Sequence, residues 1–409
     1  MLNIIWIFFF ISAFISALFK LLYLGEHAIF TELMAALFAM SKTAFEISLG
    51  LTGVLALWLG IMRIGERSGF IDLLTRGLTP LFSKLMPEVP AHHPALGAMV
   101  MNISANALGL DNAATPLGIK AMQELQTLNP NKETASNAQI LFLVINTSAV
   151  TLFPITIFTY RAQLGAAHPT DVFIPILLAT YMSTICGLLA VAWVQKLNLW
   201  DKTILAYLGG FSLLVASIIY YFAQLSQADM LLQSALISNL ILFTLIIIFI
   251  ATAAYKKIDA YQAFIEGAQE GFQTAIIIIP YLVAMLVAIG VFRASGALEL
   301  LMNGLRFAVL QANLDPRFID AMPTALMKPF SGSGARAMMV DTMQTFGADS
   351  FAGRLSSIVQ GSTETTFYVL TVYFGSVGIK NIRHALACGI IADFAGIIAA
   401  IFIAYWFFA

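Results

Sequence analysis

Apolar positions in this chain gather into runs of about 20 residues, the length an α-helix needs to cross a bilayer. Nine such runs can be read, near 3–22, 44–62, 135–160, 172–195, 203–222, 231–255, 271–292, 355–379 and 385–408. The first has no Lys or Arg ahead of its apolar stretch and is therefore read as an anchor rather than a leader. Two further stretches, 94–118 and 322–340, are apolar but interrupted by glycine, proline and polar residues, and each predicts a re-entrant hairpin. Residues 70–86 place Phe70, Leu74, Leu78, Leu81, Phe82 and Leu85 on one helical stripe opposite Asp72, Arg76 and Lys84, the pattern of an interfacial helix. The expected fold is an all-α polytopic membrane protein with about nine transmembrane helices plus two re-entrant hairpins.

Composition removes the soluble alternative. Hydrophobic residues make up 60% of the 409 positions, charged residues 11%, and the mean hydropathy is +0.87. A hydrated surface needs roughly 25% charged residues, so the solvent for most of this exterior is lipid. Net charge is −1 and the longest basic run is Lys256-Lys257, which excludes an electrostatic footprint for nucleic acid. Cys186 and Cys388 lie in apolar runs without metal-ligand spacing. His92 and His93 are adjacent and cannot share a metal from one helix face, and neither a P-loop nor a Gly-x-Ser-x-Gly elbow occurs. An enzyme is not expected, and neither is a cofactor.

Basic loops mark the cytoplasmic side. The turn at 223–230 has no Lys or Arg, while Lys196 and Lys202 flank it on one side and Lys256 and Lys257 on the other. That turn faces out, and the loop with Lys120 and Lys132 faces in. The stretch 293–354 carries six basic residues on the outward side of this scheme, so the relative orientation of the two halves, which rests on span count, is the firmer expectation. The halves resemble each other: Arg67-Ser68-Gly69-Phe70-Ile71-Asp72-Leu73-Leu74 runs parallel to Ala294-Ser295-Gly296-Ala297-Leu298-Glu299-Leu300-Leu301. Five crossings separate the two starts, so the second repeat enters inverted, and inverted repeats with broken helices hold substrate near the midplane. The expected organisation is an anchor and linker at 1–43, repeats at 44–195 and 263–409, and two connecting helices at 196–262.

Irregular backbone at membrane depth survives where it is buried in protein or lines a wet cavity. Four polar breaks qualify. The first hairpin carries Asn102, Ser104, Asn106, Asp111, Asn112 and Thr115, and the second carries Ser331 and Ser333 between Lys328 and Arg336. The two broken spans carry Asn146-Thr147-Ser148, with Thr151 and Pro154 a turn later, and Gln360-Gly361-Ser362-Thr363-Glu364-Thr365-Thr366. Any one of these small polar residues is most simply interhelical glue; four breaks at matching positions point to a solute site. Glu364 and Asp393 are acids within spans, each a functional hypothesis by default. Asp393 has an equal structural reading, as a partner for Lys380, Arg383 or another repeat. Glu364, Asp393 and Asp111 are the expected ion-coupling residues.

Residues 102–122, from Asn102 through Asp111-Asn112-Ala113-Ala114-Thr115-Pro116 to Met122, resemble the signature of bacterial spore maturation protein A. Ser331-Gly332-Ser333-Gly334, Gln360 to Tyr368 and Tyr373-Phe374-Gly375 resemble that of spore maturation protein B. The chain is similar to a fusion of the two, joined near 195–260, within the nucleoside recognition, or Gate, domain family. The resemblance implies an architecture related to concentrative nucleoside transporters, although their Gly-Gln-rich first hairpin is not found in this sequence. It implies a multi-pass protein of the bacterial cytoplasmic (inner) membrane, with lipid and a small-molecule solute as partners and homo-oligomers as an open possibility. The expected function is secondary transport of a nucleoside-like solute, amino acid or short peptide, coupled to Na+ or H+. The alternative is a non-transporting membrane factor in cell-wall or spore-cortex maturation.

Overall fold

The computed structural model describes residues 2–409 apart from 91, 110, 149 and 150; for residues 2 and 111–113 it describes the backbone but not the side chains. No strand occurs among the described residues. A first helix, α1 (Leu2–Phe19), runs through a π-turn into α2 (Ile29–Arg67), α3 (Phe70–Leu85), α4 (Pro94–Ala107), α5 (Asp111–Leu128), α6 (Asn137–Thr147), α7 (Ile155–Gln163) and α8 (Phe173–Gln195). Two connecting helices follow, α9 (Lys202–Phe222) and α10 (Gln227–Tyr255). The same order then recurs as α11 (Ala260–Ala294), α12 (Ala297–Gln311), α13 (Met322–Met327), α14 (Gly332–Phe346), α15 (Phe351–Ser362), α16 (Thr366–Ser376) and α17 (Ala385–Phe408). Among the described residues seven helices are long and apolar enough to cross a membrane, and many of their large apolar side chains, such as Phe14, Leu213, Leu240 and Phe402, are exposed. The chain is a polytopic membrane protein whose outer surface is apolar.

The expected runs 135–160 and 355–379 are each two half-helices. Ser136 and Ser350 occupy equivalent N-caps, accepting from the Gln139 and Gly353 N–H groups. Helix α6 ends at Thr147, and Pro154, which has no N–H to donate, stands immediately before α7. Helix α15 ends at Ser362, and the β-branched Thr363 and Thr365 take extended conformations before α16 begins. Helix α3 buries the stripe read from the sequence: Leu81, Phe82 and Leu85 are buried, while Asp72, Arg76 and Lys84 are exposed. Gly69 and Gly296 hold matching left-handed positions at φ 79° and 78°, opening α3 and α12. The preceding serines match too, the Ser68 carbonyl accepting from Lys256 Nζ and the Ser295 carbonyl from Ser16 Oγ.

Corresponding long helices of the two halves pack side by side. A Cβ on Gly267 would meet Leu59 and Arg63, one on Gly271 would meet Ala56, and one on Gly290 would meet Met40. The partner numbers fall as the α11 numbers rise, so α2 and α11 are antiparallel, with Gly267 and Gly271 letting the backbones approach closely. Helices α8 and α17 are antiparallel by the same test: Ser183 Oγ donates to the Ala392 carbonyl, Gly187 abuts Ala392, and Gln195 meets His384.

Beside these helix pairs, two loop-to-loop networks join the halves. In one, Arg161 donates to the Ala348 carbonyl at 2.7 Å and to Asp171 at 2.8 Å, Asp349 accepts from Arg161 and from the Ala167 N–H, and Arg354 pairs with Asp171. The centre of this network is desolvated, with the Arg161 and Asp171 side chains 0% and 2% exposed, while Asp349 at its edge is 35% exposed. In the other, residues 133–135 meet 380–383: Lys380 pairs with Glu133 at 2.6 Å, Ala135 N–H donates to the Asn381 carbonyl, and Arg383 reaches the Ala135 carbonyl. Here the charged side chains are 75% and 66% exposed, and a cleft of about 500 Å³ bounded by Glu88, Asn137 and Arg383 opens beside them.

Candidate functional site

The two breaks touch. The Glu364 N–H donates to the Thr147 carbonyl at 2.7 Å, joining the end of α6 to the gap between α15 and α16. The helix pairs α4/α5 and α13/α14 close around this point. Asn106 Nδ2 donates to Asn146 Oδ1 at 2.8 Å, and Asn102 Nδ2 donates to the Ala114 carbonyl at 2.7 Å and to the Tyr373 hydroxyl at 3.3 Å. The turn between α4 and α5 passes through Gly109 at φ +71°, where a Cβ would stand 2.7 Å from the Phe153 carbonyl; no other residue fits that turn. On the other side the Phe367 N–H donates to the Pro329 carbonyl, docking α16 on the loop before α14. Ser331 Oγ caps α14 by accepting from the Gly334 N–H, with Ser333 Oγ 3.3 Å away.

A cavity of about 50 Å³, room for a few water molecules, opens beside the breaks. Gly109, Thr151, Pro154, Tyr160, Lys328, Arg336, Gln360, Thr363 and Glu364 are among its walls. Around it, buried polar atoms make no well-formed hydrogen bond: Gln360 Oε1 and Thr365 Oγ1, together with Tyr160 Oη, whose neighbour is Arg336, and Thr363 Oγ1 and Asp393 Oδ1, whose residues neighbour each other. Native proteins leave few such atoms, and a group of them at one place calls for a ligand, an ion or ordered water. Asp393 is fully buried and its other oxygen accepts from Thr366 Oγ1 at 2.7 Å. Lys380 and Arg383 are engaged by Glu133 and the Ala135 carbonyl, so they are not the partners of Asp393.

The residues expected from the sequence separate into groups. Gln360, Thr363 and Glu364 line the cavity, and Thr365 and Asp393 adjoin it. Asn102, Asn106 and Asn146 form one hydrogen-bonded set with Tyr373 beside the break. Thr147, Ser148 and Ser362 spend their hydroxyls on carbonyls three residues back in their own helices, which makes them helix-end caps rather than free donors. Ser104 turns away toward α3, 3.5 Å from Thr75. Thr115 is half-exposed, and Ser331 and Ser333 serve the cap of α14. Asp111 and Asn112 fall outside the described side chains.

Tyr160 was not among the expected site residues, and Lys328 and Arg336 were read only as hairpin residues. Their signal was present in two bases within an apolar hairpin, a placement that needs a buried reason. Glu364 is accordingly not the isolated charge that its neighbours in sequence suggest, because both bases share its cavity.

Comparison with known proteins gives three matches. The family model Gate, described as nucleoside recognition, matches residues 48–164 and 275–380. Each matched stretch runs from within a long helix, α2 or α11, past the corresponding broken helix, and so takes in the same elements twice. Over 150 residues the chain is 47% identical to spore maturation protein A of Bacillus subtilis (strain 168), a match covering 37% of this chain and 76% of that protein. Over 148 residues it is 50% identical to spore maturation protein B of the same organism, covering 36% of this chain and 82% of that protein.

Proposed function

We propose a transport function from one premise: this chain belongs to the Gate, or nucleoside recognition, family. It is a secondary carrier rather than an enzyme, moving a small polar solute of the nucleoside, amino acid or short-peptide class across the bacterial cytoplasmic (inner) membrane. Coupling is to a proton or a sodium ion. The observation that carries this reading is the contact of the two helix breaks, Glu364 N–H on the Thr147 carbonyl, among buried polar atoms that make no well-formed hydrogen bond. A purely structural assembly gains nothing from leaving those atoms unsatisfied, at about 1–3 kcal/mol each.

The two matched regions are inverted repeats in this account, and α4/α5 and α13/α14 are their re-entrant hairpins. The antiparallel packing of α2 with α11 and of α8 with α17 supports the inversion, since a two-fold axis in the membrane plane generates that pairing. The two contacts between the halves are then gates on opposite faces. The Arg161–Asp171–Asp349–Arg354 network is the shut, outward-facing one, and the exposed Lys380–Glu133 pair beside its cleft is the weaker, cytoplasmic one.

The test is an uptake screen in proteoliposomes over nucleosides, amino acids and short peptides, with imposed proton and sodium gradients. Saturable uptake of one class, driven by one gradient, is expected. Absence of uptake with every solute and gradient would favour the second reading, a non-transporting membrane factor in cell-wall or spore-cortex maturation, which the names of the two relatives suggest.

A further inference from the structure

Among the described residues most arginines are matched by acids. Arg161, Arg293, Arg306, Arg317 and Arg354 each meet a carboxylate within ion-pair distance. Arg336 differs: its neighbour is the phenol of Tyr160, and it lines the central cavity with Glu364. Among the described residues these two opposite charges do not form an ion pair, although they share one small space. Lys328, 1% exposed, is the other base there and has contacts of its own. An arginine and a glutamate thus face the same cavity apart from each other. Three polar groups complete the wall: Gln360 Oε1 (8% exposed), which has no partner, Tyr160 Oη (1%), whose neighbour is Arg336 itself, and Thr363 Oγ1 (1%), whose neighbour is Asp393.

A neutral solute would leave both charges desolvated and uncompensated, which is costly at membrane depth. An inorganic anion would answer Arg336 and oppose Glu364. A zwitterion answers both. We propose that this cavity is a clamp for a small zwitterionic solute of amino-acid size. Its carboxylate lies on the Arg336 guanidinium, whose planar fork matches two carboxylate oxygens. Tyr160 donates to the same carboxylate, the ammonium group meets Glu364, and Gln360 and Thr363 bind the polar groups between. The inference narrows the substrate class of the transport reading and concerns the same site, yet it is tested by binding alone.

Binding is measured on the purified full chain in detergent by isothermal titration and thermal shift, using L-alanine, L-alanine methyl ester, N-acetyl-L-alanine, inorganic phosphate and uridine. L-alanine binds saturably, and blocking either its carboxylate or its amine weakens binding tenfold or more. Arg336→Gln weakens it to the same degree with the unliganded protein still monodisperse and helical, and Arg336→Lys recovers part of the loss. The clamp is overturned if the ester or the N-acetyl compound binds as tightly as its parent, if uridine or phosphate binds while L-alanine does not, if none of the probes binds, or if folded Arg336→Gln binds unchanged. Zwitterion binding without uptake would sink the carrier reading and keep the clamp, whereas uptake of nucleosides without zwitterion binding would do the opposite.

Discussion

Glu364 occupies the place where an interrupted helix gives its backbone N–H to the other repeat while its side chain faces the cavity. Two coupling schemes meet at this residue. A carboxyl within a span can carry a proton between the two faces, and a carboxylate beside hydroxyl and carbonyl oxygens can instead hold sodium. In both, Glu364→Gln abolishes accumulation of solute against its gradient while leaving exchange down a gradient measurable. Uptake that falls with rising pH and ignores sodium selects the proton, and a sodium requirement at every pH selects the ion. Accumulation by Glu364→Gln equal to that of the wild type would make the residue structural. Gln360, Thr363, Thr365 and Glu364 could be read from sequence because they interrupt an apolar run. Where Ser104 points was not legible: a serine on a helix faces one neighbour, and pattern alone does not say whether that neighbour is a cavity or Thr75. A second residue reports on pH. His384, outside the spans, is held below the usual histidine range by burial and then by Arg383 beside it. The folded state therefore disfavours its protonation. That stability is fully present above the unfolded value of about 6.5 and is lost as pH falls through the folded one. Thermal unfolding of His384→Gln should accordingly show a smaller loss between pH 7 and pH 5 than the wild type, and an identical loss would remove His384 from the account.

Half-helices are the elements on which the site depends, and they were legible as polar interruptions of long apolar runs. The length of α2 was not: the sequence places a span at 44–62, whereas the helix begins at Ile29. Glu32, Lys42 and Glu46 lower the local hydropathy there, yet no glycine or proline stops the helix, and Lys42 and Glu46 stand one turn apart as an ion pair. The two contacts between repeats are equally invisible in sequence, because each joins loops some 190 to 250 positions apart. Their burial sets different expectations. Arg161→Ala leaves Asp171 with Arg354 but takes the donor from the Ala348 and Pro169 carbonyls, and should lose about 1–3 kcal/mol for each buried acceptor left unsatisfied. Removing Lys380 from its exposed pair should cost no more than about 1 kcal/mol. Unfolding temperatures of the two variants in one detergent compare them directly, and similar shifts would contradict the asymmetry between the two contacts.

At the scale of the whole molecule, one set of elements is used twice and the two copies meet through their breaks. The repetition was legible from matching short blocks, while the central cavity was not, since it draws on residues from 109 to 364 that approach one another only through packing. The central claim, that the site communicates with both sides of the membrane, can be tested without knowing the solute. A single cysteine is placed at Thr363, with Cys186 and Cys388 replaced by serine. It is then exposed to a membrane-impermeant maleimide from one face or the other of oriented proteoliposomes. The account predicts modification from both faces, faster from the face that carries Lys380 and Glu133, where the contact between repeats is exposed. Modification from one face alone, with the cysteine fully reactive after denaturation, would contradict it.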